Sequence, residues 1–312
     1  MELLLLFTIL IIGFVMLIKG ADFLIDGAVA LSRKFRVPEI VIGLTVVAFG
    51  TSMPELVVNT FASFKGQGSI VYGNVIGSNI ANILLILGIT SLIKPITMQK
   101  NTVWKEIPYS LIAVIVLFFL SRNGTLFRGD AAVLLCFFVG FIIYIFFIAK
   151  TGELDAEESE GMGTGKMSLY LILGFVGLMY GGKLVVDSAV KIAQMLQVSE
   201  KLISLTIVSI GTSLPELAAS ITAARKGNSD MAIGNVVGSN IFNIFLIMGM
   251  SGLVRPIAYD MKFDFDFGVL LYATLILILS AFVFKKHVIQ KRKGALMLIS
   301  YIIYVVYSIN MA

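Results

Sequence analysis

Long apolar runs, separated by short polar segments, extend along the whole chain. Their lengths are close to the roughly 20 apolar residues that a helix needs to cross the hydrocarbon core of a bilayer. They lack the strict alternation of apolar and polar residues that marks the strands of a membrane barrel. The pattern predicts ten membrane-spanning helices, near residues 3–31, 39–64, 69–92, 104–121, 131–149, 168–195, 201–224, 231–253, 267–284 and 295–311. The chain is therefore predicted to be an all-α polytopic membrane protein.

The second half of this pattern repeats the first half at an offset of 161 positions. The segment G-T-S-M-P-E that starts at Gly50 recurs as G-T-S-L-P-E at Gly211, and G-N-V-I-G-S-N at Gly73 recurs as G-N-V-V-G-S-N at Gly234. Each half holds five predicted spans, and because five is odd, the second half enters the membrane from the opposite side. The sequence thus predicts two inverted five-helix repeats, an architecture in which many transporters bind their substrate near the membrane midplane.

The repeat divides the chain into a first five-helix unit over 1–149, an acidic linker over 150–166 and a second five-helix unit over 167–312. The linker lacks the spaced ligands of a calcium-binding loop, so we interpret it as a solvated connection rather than a regulatory calcium-binding strip. Lysine and arginine are concentrated in the connections on the linker's side of the membrane, which predicts a cytoplasmic linker and both termini outside. The predicted location is the cell membrane.

Composition supports a membrane protein and argues against other classes. The chain has 312 residues, of which 58% are hydrophobic and only 14% charged, and its mean hydropathy is +0.97; soluble domains are about one quarter charged. The net charge of +5 does not indicate nucleic acid binding, because the basic residues lie between apolar segments. Cys136 is the single cysteine, so an intramolecular disulfide is excluded. No nucleophile–base pair indicates an enzyme, and the expected partner is the lipid bilayer rather than another protein.

The repeated G-T-S-x-P-E segment combines a helix breaker with a carboxylate inside an apolar span. Pro54 has no N–H to donate to the preceding turn, so the helix is expected to break here and to free carbonyls between Ala48 and Thr51. Glu55 shares a helix face with Thr51 where the helix resumes. Carbonyl, hydroxyl and carboxylate oxygens suit calcium or sodium rather than zinc or copper. The repeat predicts the same geometry around Glu216.

Unpaired carboxylates at the membrane midplane are costly and usually functional. We therefore interpret Glu55 and Glu216 as groups that bind a cation or a proton. The second repeated segment adds a serine and an asparagine on one helix face in each half: Ser78 with Asn82, and Ser239 with Asn243. For any single serine, threonine or asparagine in these segments, hydrogen bonding between helices is an equally good interpretation.

Charged side chains also occur inside the first and sixth spans: Lys19, Asp22 and Asp26, and Lys183, Asp187 and Lys191. Their spacing lets them pair along one helix face, and we interpret them first as structural pairs. The alternative is a role at the seam between helices that move past each other.

In its two repeated segments the chain resembles the cation/calcium exchanger superfamily, and within it the prokaryotic sodium/calcium exchangers. The resemblance covers essentially the whole chain, because each half contains both segments. It implies a calcium site made by the carboxylates of Glu55 and Glu216 and the main-chain oxygens of Thr51 and Thr212. It also implies sodium sites that share the two glutamates and use Ser52, Ser78, Ser213, Ser239, the backbone oxygens of Ala48 and Ser209, and the central amides Asn82 and Asn243.

The resemblance implies an antiporter that exchanges sodium for calcium by alternating access through one shared midplane site, without a cofactor. Some members of the superfamily carry aspartate at the position of Asn243, whereas asparagine in both halves resembles the potassium-independent branch. Proton/calcium exchange is the first alternative, since proton-coupled relatives also rely on the two glutamates. A cation channel is a weaker alternative, because inverted repeats are typical of transporters.

Overall fold

Helices form almost the whole of the computed structural model, which describes residues 2–151, 162–197, 209–283 and 286–311. In chain order the helices are α1, Glu2–Phe35; α2, Glu39–Thr51; α3, Met53–Phe64; α4, Gly68–Ile93; α5, Thr102–Ser121; α6, Arg128–Thr151; α7, Thr164–Met195; α8, Ser209–Thr212; α9, Leu214–Arg225; α10, Ser229–Val254; α11, Asp264–Ser280; and α12, Lys291–Met311.

Within the described ranges, eight helices are long and apolar enough to cross a membrane, and the bent pair of α2 and α3 is a ninth candidate. These helices confirm the all-helical, multi-pass fold and coincide with nine of the predicted spans. The predicted seventh span, 201–224, begins among residues outside the described ranges, and its remainder contains α8 and α9. Most of the predicted linker, 150–166, also lies outside the described ranges.

α4 and α10 form the centre of the molecule. In their most apolar stretches 78% and 94% of the residues are buried, against 22% for α1, α6 and α12, whose apolar side chains face outward. Gly238 of α10 lies so close to α2 that an added Cβ would be 2.8 Å from both the carbonyl oxygen of Leu44 and the Cβ of Ala48. A small residue thus lets the broken helix contact the central helix directly.

α1 and α7 form a closely packed pair beside this centre. An added Cβ at Gly20 would lie 2.7 Å from the amide nitrogen of Leu178, and one at Gly174 would lie 2.6 Å from the Cα of Leu24. The two helices have 34 and 32 residues, well above the roughly 20 that a span requires. Their most extensive contact is with each other.

Two short antiparallel ribbons, which the sequence did not predict, join the halves at the ends of the central helices. β1, Ile96–Thr97, follows α4 and pairs with β4, Val288–Ile289. β3, Ile257–Ala258, follows α10 and pairs with β2, Thr125–Leu126. β1 and β3 are separated by the repeat offset of 161 positions. Each ribbon therefore connects one half to the other at an equivalent point.

Candidate functional site

The helical path breaks at equivalent serines in the two halves, between α2 and α3 and between α8 and α9. Ser52 has φ −85° and ψ 4°, and Ser213 has φ −89° and ψ 5°. Pro54 and Pro215 follow in the first turn of the next helix, where a missing N–H removes no helical hydrogen bond. α2 and α3 meet at an angle of 49°. The predicted helix break is therefore confirmed in both halves.

The carbonyl of Ala48 is not freed by this break, and that expectation is wrong. The backbone N–H of Ser52 donates to the Ala48 oxygen at 3.0 Å, and the Thr51 hydroxyl donates to it at 3.3 Å. The helical hydrogen-bond ladder thus continues up to the break itself. A cation at Ala48 would have to share an oxygen that already accepts two hydrogen bonds.

Glu55 and Glu216 lie in the first turns of α3 and α9, and each is only 1% exposed. The N-terminus of a helix favours negative charge. The Ser52 hydroxyl donates to Oε1 of Glu216 at 3.2 Å, which links the two halves. The Oε2 atom of each glutamate has no hydrogen-bond partner, and neither makes an ion pair within the described ranges.

Glu55 lies three positions after Ser52, whose hydroxyl contacts Glu216, so the two carboxylates belong to one site. Two buried negative charges without a basic partner in the described part of the chain are stable only when a cation or protons neutralise them. This pair of groups defines the candidate site, and it matches the two glutamates that the sequence singled out.

Amide side chains hold the backbone around the glutamates. Asn59 donates from Nδ2 to the main-chain oxygen of Glu55 at 2.8 Å. In the other half, Asn235 donates from Nδ2 to the main-chain oxygen of Glu216 at 3.2 Å and to the hydroxyl of Ser220 at 2.9 Å. Sequence reasoning missed Asn59 and Ser220, which occupy equivalent positions in the repeat. The signal was a polar residue four positions after each glutamate, on the same helix face.

A symmetric arrangement of amides crosses the interface between α4 and α10. Asn82 donates from Nδ2 to Oδ1 of Asn240 at 3.0 Å, and Asn243 donates from Nδ2 to Oδ1 of Asn79 at 3.2 Å. These two bonds are related by the repeat offset. The Oδ1 atoms of Asn82 and Asn243 are buried and have no hydrogen-bond partner. Both residues lie in π-helical turns, Ala81–Ile86 and Phe242–Met248, a distortion that is frequent at functional sites.

The remaining predicted hydroxyl residues occupy different environments. Ser213 and Ser239 are buried with partnerless hydroxyls, whereas the Ser78 hydroxyl donates to Oδ1 of Asn74 at 3.0 Å. Thr51 is fully buried, and its single hydroxyl proton is shared between the Ala48 carbonyl at 3.3 Å and Oδ1 of Asn235 at 3.1 Å. Thr212, at the end of α8, is half-buried. Ser209 begins α8, and its side chain lies outside the described part of the structure.

Several buried oxygens near the helix breaks and in the central amide cluster have no hydrogen-bond partner: Oε2 of Glu55 and Glu216, Oδ1 of Asn59, Asn82 and Asn243, and Oγ of Ser213 and Ser239. Nδ2 of Asn79, in the same amide cluster, also has none. Within the described ranges, no group of three or more histidine, cysteine, aspartate or glutamate residues could hold a metal ion. The arrangement therefore suits hard cations bound mainly through neutral oxygens and two carboxylates, as calcium and sodium require.

Comparisons with known proteins agree with this chemistry. A family model described as "Sodium/calcium exchanger protein" matches residues 5–147 and 166–310. The putative antiporter CaxA of Alkalimonas amylolytica is 36% identical over 304 residues, covering 94% of this chain and 95% of the relative. The sodium/calcium exchanger MaX1 of Methanosarcina acetivorans is 31% identical over 348 residues, covering 96% and 97%. A structure of the sodium-calcium exchanger NCX_Mj, soaked with Na⁺ and Sr²⁺, has a TM-score of 0.85 at 36% identity and covers 97% of this chain and 99% of that one.

Proposed function

The chain belongs to the sodium/calcium exchanger protein family, and from this premise we propose that it exchanges sodium for calcium by alternating access at one site built on Glu55 and Glu216. It is a multi-span integral membrane protein and a cation/calcium exchanger rather than an enzyme, as its relatives are transporters. In this proposal the two halves are inverted repeats, both of them supply ligands to the ions, and sodium drives the exchange.

The observation that carries the proposal is the pair of buried glutamates, each with one partnerless oxygen. Two carboxylates balance the charge of one calcium ion, whereas sodium ions would have to spread over several oxygen sets around the same carboxylates. Shared ligands make occupancy by calcium and by sodium mutually exclusive, which is the physical basis of exchange. An empty pocket would leave two buried charges, and such a pocket should resist passage across the bilayer.

The proposed calcium ligands are the carboxylates of Glu55 and Glu216 and the main-chain oxygens of Thr51 and Thr212. The proposed sodium ligands share these glutamates and add Ala48, Ser52, Ser78, Asn82, Ser209, Ser213, Ser239 and Asn243. Four of these added residues have a side-chain oxygen without a hydrogen-bond partner, which supports their assignment: Asn82, Ser213, Ser239 and Asn243. The Ser52 and Ser78 hydroxyls donate to other oxygens but keep lone pairs for a cation. Ala48 has the weakest support, because its carbonyl already accepts two hydrogen bonds.

The proposed architecture is two inverted repeats of five spans, 1–149 and 167–312, joined by a cytoplasmic linker over 150–166. In this arrangement both termini lie outside the cell membrane. The repeat-related amide bonds between α4 and α10 support it, as do the equivalent helix breaks. One pocket is then completed by matching parts of both halves at the midplane.

Calcium uptake into vesicles that contain the purified protein tests the proposal. A sodium gradient directed outward should drive uptake, and a proton gradient alone should not. If more sodium charge than calcium charge moves, uptake should also respond to membrane potential, at about 2.3 kcal/mol per charge per 100 mV. Vesicles without protein supply the background.

The competing function is proton/calcium exchange, because the partnerless oxygens of the two glutamates could equally carry protons. Uptake driven by the proton gradient and indifferent to sodium would establish that function and reject sodium coupling. Calcium flux that needs no counter-ion at all would instead indicate a channel and reject both exchange mechanisms.

A further inference from the structure

We propose that Asp26 and Lys226 form an ionic latch that holds one face of the transporter closed, and that Asp187 and Lys65 form the equivalent latch on the opposite face after the conformational change. This inference rests on the alternating-access function proposed above. It assigns a role to charges inside the long helices α1 and α7 that the ion site does not use.

The first latch is closed in this structure. Lys226, which directly follows α9, places Nζ 2.8 Å from Oδ1 of Asp26 and 3.4 Å from Oδ1 of Asp22. It also donates to the main-chain oxygen of Asp22 at 3.1 Å. Both carboxylates belong to α1, so a single lysine ties α1 to the end of α9. Beneath this contact, Ala219 of α9 is fully buried in an apolar cluster that includes Leu24 of α1.

The repeat supplies the same charges at equivalent positions of the other half, which lie on the opposite membrane face in the proposed inverted topology. Lys65 follows α3 as Lys226 follows α9, and Asp187 occupies in α7 the position of Asp26 in α1, both at the offset of 161. Neither Lys65 nor Asp187 makes an ion pair in the part of the chain that the structure describes. The second latch is therefore open while the first is closed.

Packing of the apolar side chains shows the same asymmetry. Val58 of α3 is the repeat equivalent of Ala219, yet it is 41% exposed where Ala219 is 0% exposed. α1 packs along α9, whereas α7 and α3 make no comparably extensive contact. The two halves thus adopt different conformations around a common site. Exchanging these conformations would open the contact at Lys226 and close the one at Lys65, on the opposite membrane face.

The two latches differ in strength because one acid is not repeated. The position of Asp22 in α1 is occupied by Lys183 in α7, one helical turn from Asp187. Lys65 would therefore meet one carboxylate and one like charge, instead of two carboxylates. The described conformation is favoured by this difference, and replacing Lys183 with aspartate should strengthen the second latch.

Cross-linking tests the proposal directly. In a Cys136→Ala background, cysteine pairs replace the latch residues: Asp26→Cys with Lys226→Cys, and Asp187→Cys with Lys65→Cys. A short bismaleimide is used, because a lysine ion pair spans more than the Cα separation of a disulfide. The first pair should cross-link readily, and the second should cross-link as the protein changes conformation. Either cross-link should stop transport. The mixed pair Asp187→Cys with Lys226→Cys, from opposite faces, is the control and should not react.

Charge variants then measure the balance between the latches. In the Asp187→Cys/Lys65→Cys background, Lys226→Gln should raise the cross-linking rate roughly two- to fivefold, the range for a partly exposed ion pair. In the otherwise native chain, the calcium concentration that half-saturates transport is measured with calcium supplied at one face. Lys183→Asp and Lys65→Gln should shift this concentration in opposite directions, one raising it and the other lowering it. Lys262→Gln, a neutralised surface lysine that is 88% exposed, should change neither quantity.

The latch would be rejected if the second pair never cross-links in protein that transports, or if Lys226→Gln leaves its rate unchanged. A failure of the proposed function looks different. The native protein would then move neither sodium nor calcium in the vesicle assay, while the cross-linking rates would still report whether the two contacts alternate.

Discussion

The hydroxyl of Ser52 in the first half donates a hydrogen bond of 3.2 Å to the carboxylate of Glu216 in the second half. The bond joins the helix break of one half to the charged group of the other. Its repeat equivalent is missing, since the buried hydroxyl of Ser213 has no partner. The two halves thus supply equivalent serines to the site, but in the described conformation Ser52 hydrogen-bonds a carboxylate and Ser213 does not.

Replacing Ser52 with alanine should weaken calcium binding by about ten- to a hundredfold, because a hydrogen bond to a charged group contributes about 1.5–3 kcal/mol. Ser213→Ala is the matched control, since it removes the equivalent hydroxyl without breaking a hydrogen bond; it should weaken binding less than about threefold. Isothermal titration of the two purified variants with calcium measures both effects. Equal losses of calcium affinity in the two variants would show that the hydrogen bond from Ser52 to Glu216 does not contribute to calcium binding.

Removing either site carboxylate should abolish calcium binding while leaving the fold intact. Glu55→Gln and Glu216→Gln keep the side-chain volume but leave the bound cation with half its countercharge. Breaking a buried charge pair costs about 3–5 kcal/mol, which corresponds to a loss of affinity of about a hundredfold to several thousandfold. Asp260→Asn, at a carboxylate 45% exposed before α11, should bind calcium normally. Normal affinity in either glutamine variant would reject the site.

The sequence predicted the parts of this site that have a local cause. Pro54 determines where a helix breaks, and the apolar runs determine which helices can cross the membrane. The helix breaks and nine of the spans could therefore be predicted from the sequence. The carbonyl of Ala48 was misjudged, because the helix bends only after the Ser52 N–H has completed the last hydrogen bond. The two-residue ribbons and the support from Asn235 could not be foreseen, since they depend on segments that meet only in the folded protein. Asn59 differs, because it lies four positions after Glu55 in the same helix and was a local signal that sequence reasoning missed.

Gly238 should tolerate no side chain, because α10 and α2 meet there backbone to backbone. An added Cβ would lie 2.8 Å from the carbonyl oxygen of Leu44, a backbone atom that cannot move without displacing the broken helix. Overpacking of this kind costs about 1–3 kcal/mol, so Gly238→Ala should lower both the melting temperature and calcium affinity. Gly129→Ala in α6 is the matched control, with nothing within 4 Å of the added atom. Comparable melting curves for the two variants in detergent would contradict the close contact.

A third buried carboxylate, Glu106, lies outside the ion site, and its environment leads to a stability prediction. Tyr144 of α6 donates a hydrogen bond to Glu106 of α5, which is 1% exposed and whose Oε2 atom has no partner. In the other half, Tyr304 of α12 donates at 2.8 Å to Asp266 of α11, which is only half-buried. Both pairs are separated by 38 positions, and each joins the two outer helices of its half.

Tyr144→Phe should destabilise the protein more than Tyr304→Phe, although both variants remove the same hydroxyl. Losing the partner of a buried polar group costs about 1–3 kcal/mol, whereas water can replace the tyrosine at the more exposed Asp266. Thermal unfolding of the two variants in the same detergent provides the comparison, and Tyr144→Phe should have the lower melting temperature by several degrees. Adding Glu106→Gln to Tyr144→Phe should recover part of the loss, because a neutral amide is less costly to bury than a carboxylate. Equal melting temperatures for the two single variants would show that water also reaches Glu106.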